Sequence, residues 1–131
     1  MSIASTRATM ERFFNAQHGD VSMLADDVVF TLMSTGEENL GPDAVMGMFQ
    51  YLYHVAFDAT AVPLVLIYSE DHAVGEFDFT GKHIGGFAGI PATGKNVNVP
   101  LCVVYDLEQD KIKRARIYFE TPVLLKQLGA A

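Results

Sequence analysis

Thiol chemistry is almost missing from this chain: among 131 residues the only cysteine is Cys102. No internal disulfide can form, and without a CxxC pair or histidines at matching spacing there is no pattern for a structural zinc site. Basic residues are also scarce. Nine Lys and Arg stand against 16 Asp and Glu, a formal charge of −7, which is the wrong sign for a protein that neutralises a nucleic-acid backbone. This argues against DNA or RNA as a partner. No apolar run approaches the roughly 20 residues that span a bilayer, so no membrane partner is expected. The opening residues MSIASTRATMERFF carry neither the basic head nor the apolar body of a secretory signal. One unpaired thiol and no such signal point to the reducing cytoplasm. Internal repeats, low-complexity tracts and linkers are absent as well, so residues 1–131 read as one domain.

What is present is apolar. Half of the residues are hydrophobic and 11% are aromatic, which excludes disorder. A chain of this length buries roughly two thirds of its unfolded surface. Ser2 to His18 sets Ile3, Met10, Phe13, Phe14 and Gln17 on one side at helical spacing, with Gly19 and Asp20 as a stop. Val28 to Met33 is short and β-branched, as a strand should be. After a polar loop, Pro42 begins a long predicted helix, to about Ala56, with Val45, Phe49, Leu52 and Ala56 along one stripe. Strands follow at Val62 to Ser69, His72 to Thr80, Val97 to Leu107 and Ile112 to Phe119, then a short helix framed by Pro122 and Gly129. Strands joined by such tight turns pair antiparallel. Helices first and long strands later give an α+β fold.

Several side chains are candidates for chemistry. His83 lies at or just past the end of a strand and begins the unusual stretch HIGGFAGIPATG; it either caps the strand by a local hydrogen bond or contacts a ligand. His18, His54 and His72 sit at helix ends or turns, where a solvated histidine needs no special role. Glu120 follows IYF and precedes a helix start. As a cap, its carboxylate would sit near the positive end of the helix dipole; inside an apolar cavity, it would have a raised pKa and could trade protons near neutrality. Arg114, Arg116, Tyr118 and Glu120 share one strand face, and Ala115, Ile117 and Phe119 the other, so a cavity role for Glu120 would bring Arg116 and Tyr118 with it. Cys102 lies in an apolar strand as an unreactive thiol.

Taken together, FTGKHIGGFAGIPATGK, a strand, a turn ending in KI and then ARIYFETPVLLKQLG resemble the SnoaL-like polyketide cyclase group of the nuclear transport factor two-like superfamily. The matching positions are Gly81 and His83, Phe87 through Gly94, Glu120, Leu124-Leu125 and Gln127-Leu128-Gly129. LADDVVF, Gly41-Pro42 and Ala56-Phe57-Asp58 extend the resemblance more loosely to the first half. It implies a cone: a strongly bent antiparallel sheet wrapped around the N-terminal helices and enclosing an apolar pocket. The glycine-rich segment would fold over its rim, with Phe87, Ile90 and Pro91 helping to shape it. It further implies general acid–base chemistry on a small apolar, polyketide-like substrate, without metal or organic cofactor. Glu120, assisted by His83, would be catalytic; Tyr118, Arg116, Phe87, Ile90, Phe14 and Phe49 would bind the substrate. Glu120 stands where the group carries an aspartate, and Lys82 replaces a small residue. Two other readings stay open: a non-catalytic small-ligand-binding module, and an epoxide hydrolase of the same fold drawing on Arg116, Asp78 and Glu120. The group usually pairs its sheets. The alternating Val97, Val99, Leu101, Val103 and Tyr105, read as an outer face, therefore imply a homodimer.

Overall fold

The computed structural model describes residues 1–16 and 19–130. Gln17 and His18 lie outside the described residues. The elements run α1 (Ile3–Asn15), β1 (Leu24–Leu32), β2 (Glu37–Leu40), α2 (Pro42–Gln50), a π-helical turn (Tyr51–Val55), β3 (Phe57–Tyr68), β4 (His72–His83), β5 (Asn96–Glu108), β6 (Lys111–Phe119) and α3 (Thr121–Gln127).

Local chemistry sets these boundaries. The Ser2 hydroxyl caps α1 by accepting a hydrogen bond from the Ser5 N–H at 3.0 Å. Pro42 starts α2 where its missing N–H has no partner to lose. The helix predicted from Pro42 to about Ala56 is present as α2 and the π-helical turn in unbroken succession, with Val45 and Phe49 buried. Gln109 and Asp110, at φ 52° and 63°, form a two-residue hairpin between β5 and β6. Both conformations belong to the type I′ turn, whose twist matches that of paired strands.

The six strands form one open sheet in the order β2-β1-β6-β5-β4-β3. Four of the five strand pairs are antiparallel, as predicted. The exception is β1 against β6, which run parallel with Val29 opposite Arg114 and Leu32 opposite Ile117. The sheet is therefore mixed, a correction to the antiparallel expectation. No hairpin can make this contact, because the chain must leave β1, complete the rest of the sheet and return. β2, from the polar run EENL, replaces part of the predicted loop and pairs with β1 at the opposite edge from β3.

A second correction concerns β5. Val97, Val99, Leu101, Val103 and Tyr105 are all buried, and the last three face the helices across an internal cavity. Their alternation is satisfied by the chain's own core, so it carries no argument for an outer face. That core is aromatic. Phe13 of α1 lies 6.3 Å from Phe30 of β1, 6.2 Å from Phe49 of α2 and 6.1 Å from Tyr105 of β5, ring centroid to centroid. Burying each such side chain stabilises the fold by about 1.5–3 kcal/mol.

Candidate functional site

Helices on one side and the inner sheet face on the other enclose a cavity of about 410 Å³, within the ~300–1,000 Å³ usual for small-molecule sites. From the helices come Phe13, Phe14, Met48, Phe49, Leu52 and Tyr53; from the sheet come Phe30, Leu32, Ala59, Ala61, Phe77, Phe79, Leu101, Val103, Tyr105, Ile117 and Phe119. Asn15, His54 and Thr60 also line it and are exposed, which places polar groups at its mouth. Leu52, Tyr53 and His54 all belong to the π-helical turn, a distortion of helix geometry that recurs at functional sites. Among the described residues no Asp or Glu lines the cavity.

Among the described residues, the polar groups inside are phenols. Tyr53 is 8% exposed and Tyr105 4%. Burial raises the pKa of both hydroxyls far above the ordinary value, and at Tyr105 the neighbouring Tyr53 phenol and Cys102 thiol raise it further. Desolvation disfavours the phenolate, so both remain neutral hydrogen-bond donors.

Phe14 and Phe49 stand in the lining. Glu120 does not. Phe119 turns its ring inward, 5.3 Å from that of Phe79. Strand alternation then sends Tyr118 outward, where it is exposed, and the chain leaves β6 at Glu120. That residue is exposed at the start of α3 and makes no side-chain capping bond. Arg116 likewise faces away from the cavity. Its guanidinium donates to both carboxylate oxygens of Asp106, at 2.8 and 2.9 Å, and Asp106 also meets the His72 ring at 3.0 Å. Asp78 is not in the lining either, so Arg116, Asp78 and Glu120 do not converge on the cavity.

His83 is fully buried, and the glycine-rich segment wraps around it rather than over the cavity. The Thr93 N–H donates to His83 Nδ1 at 3.2 Å, the Gly94 N–H donates to the His83 carbonyl at 2.9 Å, and the His83 N–H donates to the Lys95 carbonyl at 2.9 Å. An Nδ1 that accepts leaves the proton on Nε2, and among the described residues Nε2 has no hydrogen-bond partner. The ring packs 5.1 Å from Phe57, which also meets Phe79 at 5.2 Å and Phe87 at 5.4 Å. Phe87 and Ile90 bond reciprocally across Ala88 and Gly89 and pack against the core without touching the cavity.

Sequence reasoning overlooked His54, Tyr53 and Tyr105. Tyr105 was hidden inside an apolar alternation, and His54 was indistinguishable from a solvated helix-end residue. The available signal was helical phase, since Phe49, Leu52 and Tyr53 fall on one side of a helix extended through residue 55.

The profile of the SnoaL-like polyketide cyclase family matches residues 4–128, and the chain belongs to that family. Solved structures agree in fold. A Jannaschia sp. CCS1 protein bearing the same family name superposes with a TM-score of 0.84 at 17% identity, over 98% of this chain and 94% of its own. TsrD from Streptomyces laurentii gives 0.83 at 23% identity, over 100% and 99%. AclR from Streptomyces galilaeus, named for a suspected hydroxylase role, gives 0.81 at 20% identity, over 99% of each chain. No curated protein sequence matches. No helix among the described residues is long and apolar enough to cross a membrane.

Proposed function

We propose that the chain takes a small apolar, polyketide-like molecule into the aromatic cavity and acts on it by general acid–base chemistry as a cyclase or isomerase. The cavity carries this reading: about 410 Å³ of largely aromatic wall with donor phenols inside and His54, Asn15 and Thr60 at the mouth. Carbon–carbon cyclisation and enolisation both require a proton to leave carbon while a carbonyl oxygen gains negative character. Neutral phenols can stabilise that oxygen. Histidine is the residue type suited to accept a proton at neutral pH, which makes His54 the candidate base. Glu120 and His83 fall outside this scheme because neither lines the cavity. The test uses 2-tetralone as a carbon-acid probe, following its α-deuteration in D2O. Accelerated exchange with wild-type protein, and the same acceleration with Glu120→Gln, is the expected result. Exchange lost with Glu120→Gln would restore the carboxylate as the catalytic group.

One observation favours a second reading, the non-catalytic binding module: no carboxylate among the described residues lines the cavity. Tight binding of 2-tetralone with no exchange above background would decide for it.

Self-association belongs to the same proposal. β3 is an edge strand, and Val62, Leu64, Val65, Leu66 and Ile67 along it are 37–55% exposed. A contiguous apolar strip on a strand edge is rarely left to water in a soluble protein. Light scattering is expected to give about twice the 14.3 kDa chain mass, and Leu64→Lys to shift the species to monomer. A monomeric wild type at micromolar concentration would remove the dimer.

A further inference from the structure

Tyr105 occupies the middle of β5 under unusual conditions. Its cross-strand neighbours are both alanines, Ala73 on β4 and Ala115 on β6, and all three residues are buried. Two minimal side chains leave the ring uncrowded by its directly paired neighbours. Its packing comes instead from Phe13, Phe14 and Phe30, at centroid distances of 6.1, 5.9 and 6.4 Å. Those rings grip the body of the side chain and offer nothing to its hydroxyl. No hydrogen bond joins the hydroxyl to another described residue, and it is not among their fully enclosed unpartnered atoms, so it is left to the space of the cavity that Tyr105 lines. Tyrosine hydroxyls in apolar surroundings usually find a partner. A fold that holds a rigid, neutral donor at the cavity wall without an acceptor among the described residues leaves the acceptor to the ligand.

We propose that Tyr105 is a specificity-determining residue: its hydroxyl donates a hydrogen bond to an acceptor oxygen of the bound molecule, so the cavity prefers flat aromatic ketones to hydrocarbons of the same shape. This rests on the small-molecule reading of the cavity given above and narrows its ligand class. Phe14 and Phe77, 5.7 Å apart beside Tyr105, supply aromatic wall for a planar skeleton. A ligand lacking the acceptor gains the same apolar contact but leaves the donor unmade. That asymmetry, rather than total affinity, produces the discrimination.

The experiment compares 9-fluorenone with fluorene, which share a tricyclic skeleton and differ in one carbonyl, on wild-type protein and Tyr105→Phe by titration calorimetry. The substitution keeps the ring and removes only the donor. Fluorenone is expected to weaken about tenfold and fluorene less than about twofold, the size of one neutral buried hydrogen bond. Carbonyl-labelled fluorenone on the wild-type protein, followed by carbon NMR, is expected to show the downfield shift of a hydrogen-bonded ketone. That signal needs no variant and so does not depend on Tyr105→Phe folding. If both ligands bind and lose affinity equally in Tyr105→Phe, or if the bound carbonyl shows no shift, the role of Tyr105 is overturned while the cavity reading stands. If neither ligand binds wild-type protein, the cavity reading falls and this inference with it.

Discussion

Gly81→Ala is expected to destabilise the fold by more than about 3 kcal/mol. Gly81 lies opposite Ala59 in the β3–β4 ladder. A Cβ there would sit 2.1 Å from the Asp58 carbonyl oxygen and 2.5 Å from the Ala59 Cα. Both are backbone atoms of the paired strand, so relief requires the strands to part rather than a side chain to turn. For a chain of this size each kcal/mol corresponds to about 3–5 °C, giving a fall in Tm of about 10 °C or more. Gly86 supplies the control, since an added Cβ meets nothing within 4 Å, and Gly86→Ala should stay within about 0.5 kcal/mol of wild type. Equal melting temperatures for the two variants would show that the strands are not held at this distance.

The second large effect is catalytic. His54→Gln should reduce α-deuteration of 2-tetralone at least about a hundredfold, the usual contribution of a positioned general base, while binding of the same ketone stays within about twofold. The amide preserves approximate shape and polarity at the mouth but cannot accept a proton. His54 is exposed, so stability should hardly move. A reduced rate would therefore report chemistry and not unfolding. Exchange at the wild-type rate would exclude His54 as the base.

The parts of the fold visible in the sequence are those set by neighbours along the chain. Pro42 and the spacing of Val45 and Phe49 defined a helix. The turn around Gln109 and Asp110 separated two strands whose alternation was plain. The invisible parts depend on partners distant in sequence. EENL has too little apolar character to announce β2, and the parallel pairing of β1 with β6 leaves no local trace. The site divides along the same line. Phe14 and Phe49 belong to helix faces, which periodicity reveals. Which face of β5 or β6 points inward is a tertiary property. For that reason Tyr105 looked like part of an outer surface, and Arg116, Tyr118 and Glu120 looked like one cavity wall. The glycine-rich segment announced by its composition that it wraps something, but only the hydrogen bonds of Thr93 and Gly94 identify that object as His83.

The parallel pair also fixes an order of assembly. β3, β4 and β5 can zip together by successive antiparallel contacts as soon as each emerges. β1 cannot complete its ladder until β6 has been synthesised, since Leu24 pairs with Ile112 and Leu32 with Ile117. At roughly 5–20 residues per second, translation of the intervening chain leaves one edge of β1 open for several seconds, with β2 alone on the other. During that interval Val28 and Phe30, fully buried in the finished protein, have no sheet to close over them. Such a half-formed edge invites pairing with the wrong chain. The acids Asp26, Asp27, Glu37 and Glu38, on β1 and β2 themselves, bring like charge to that edge and oppose its meeting a second nascent copy.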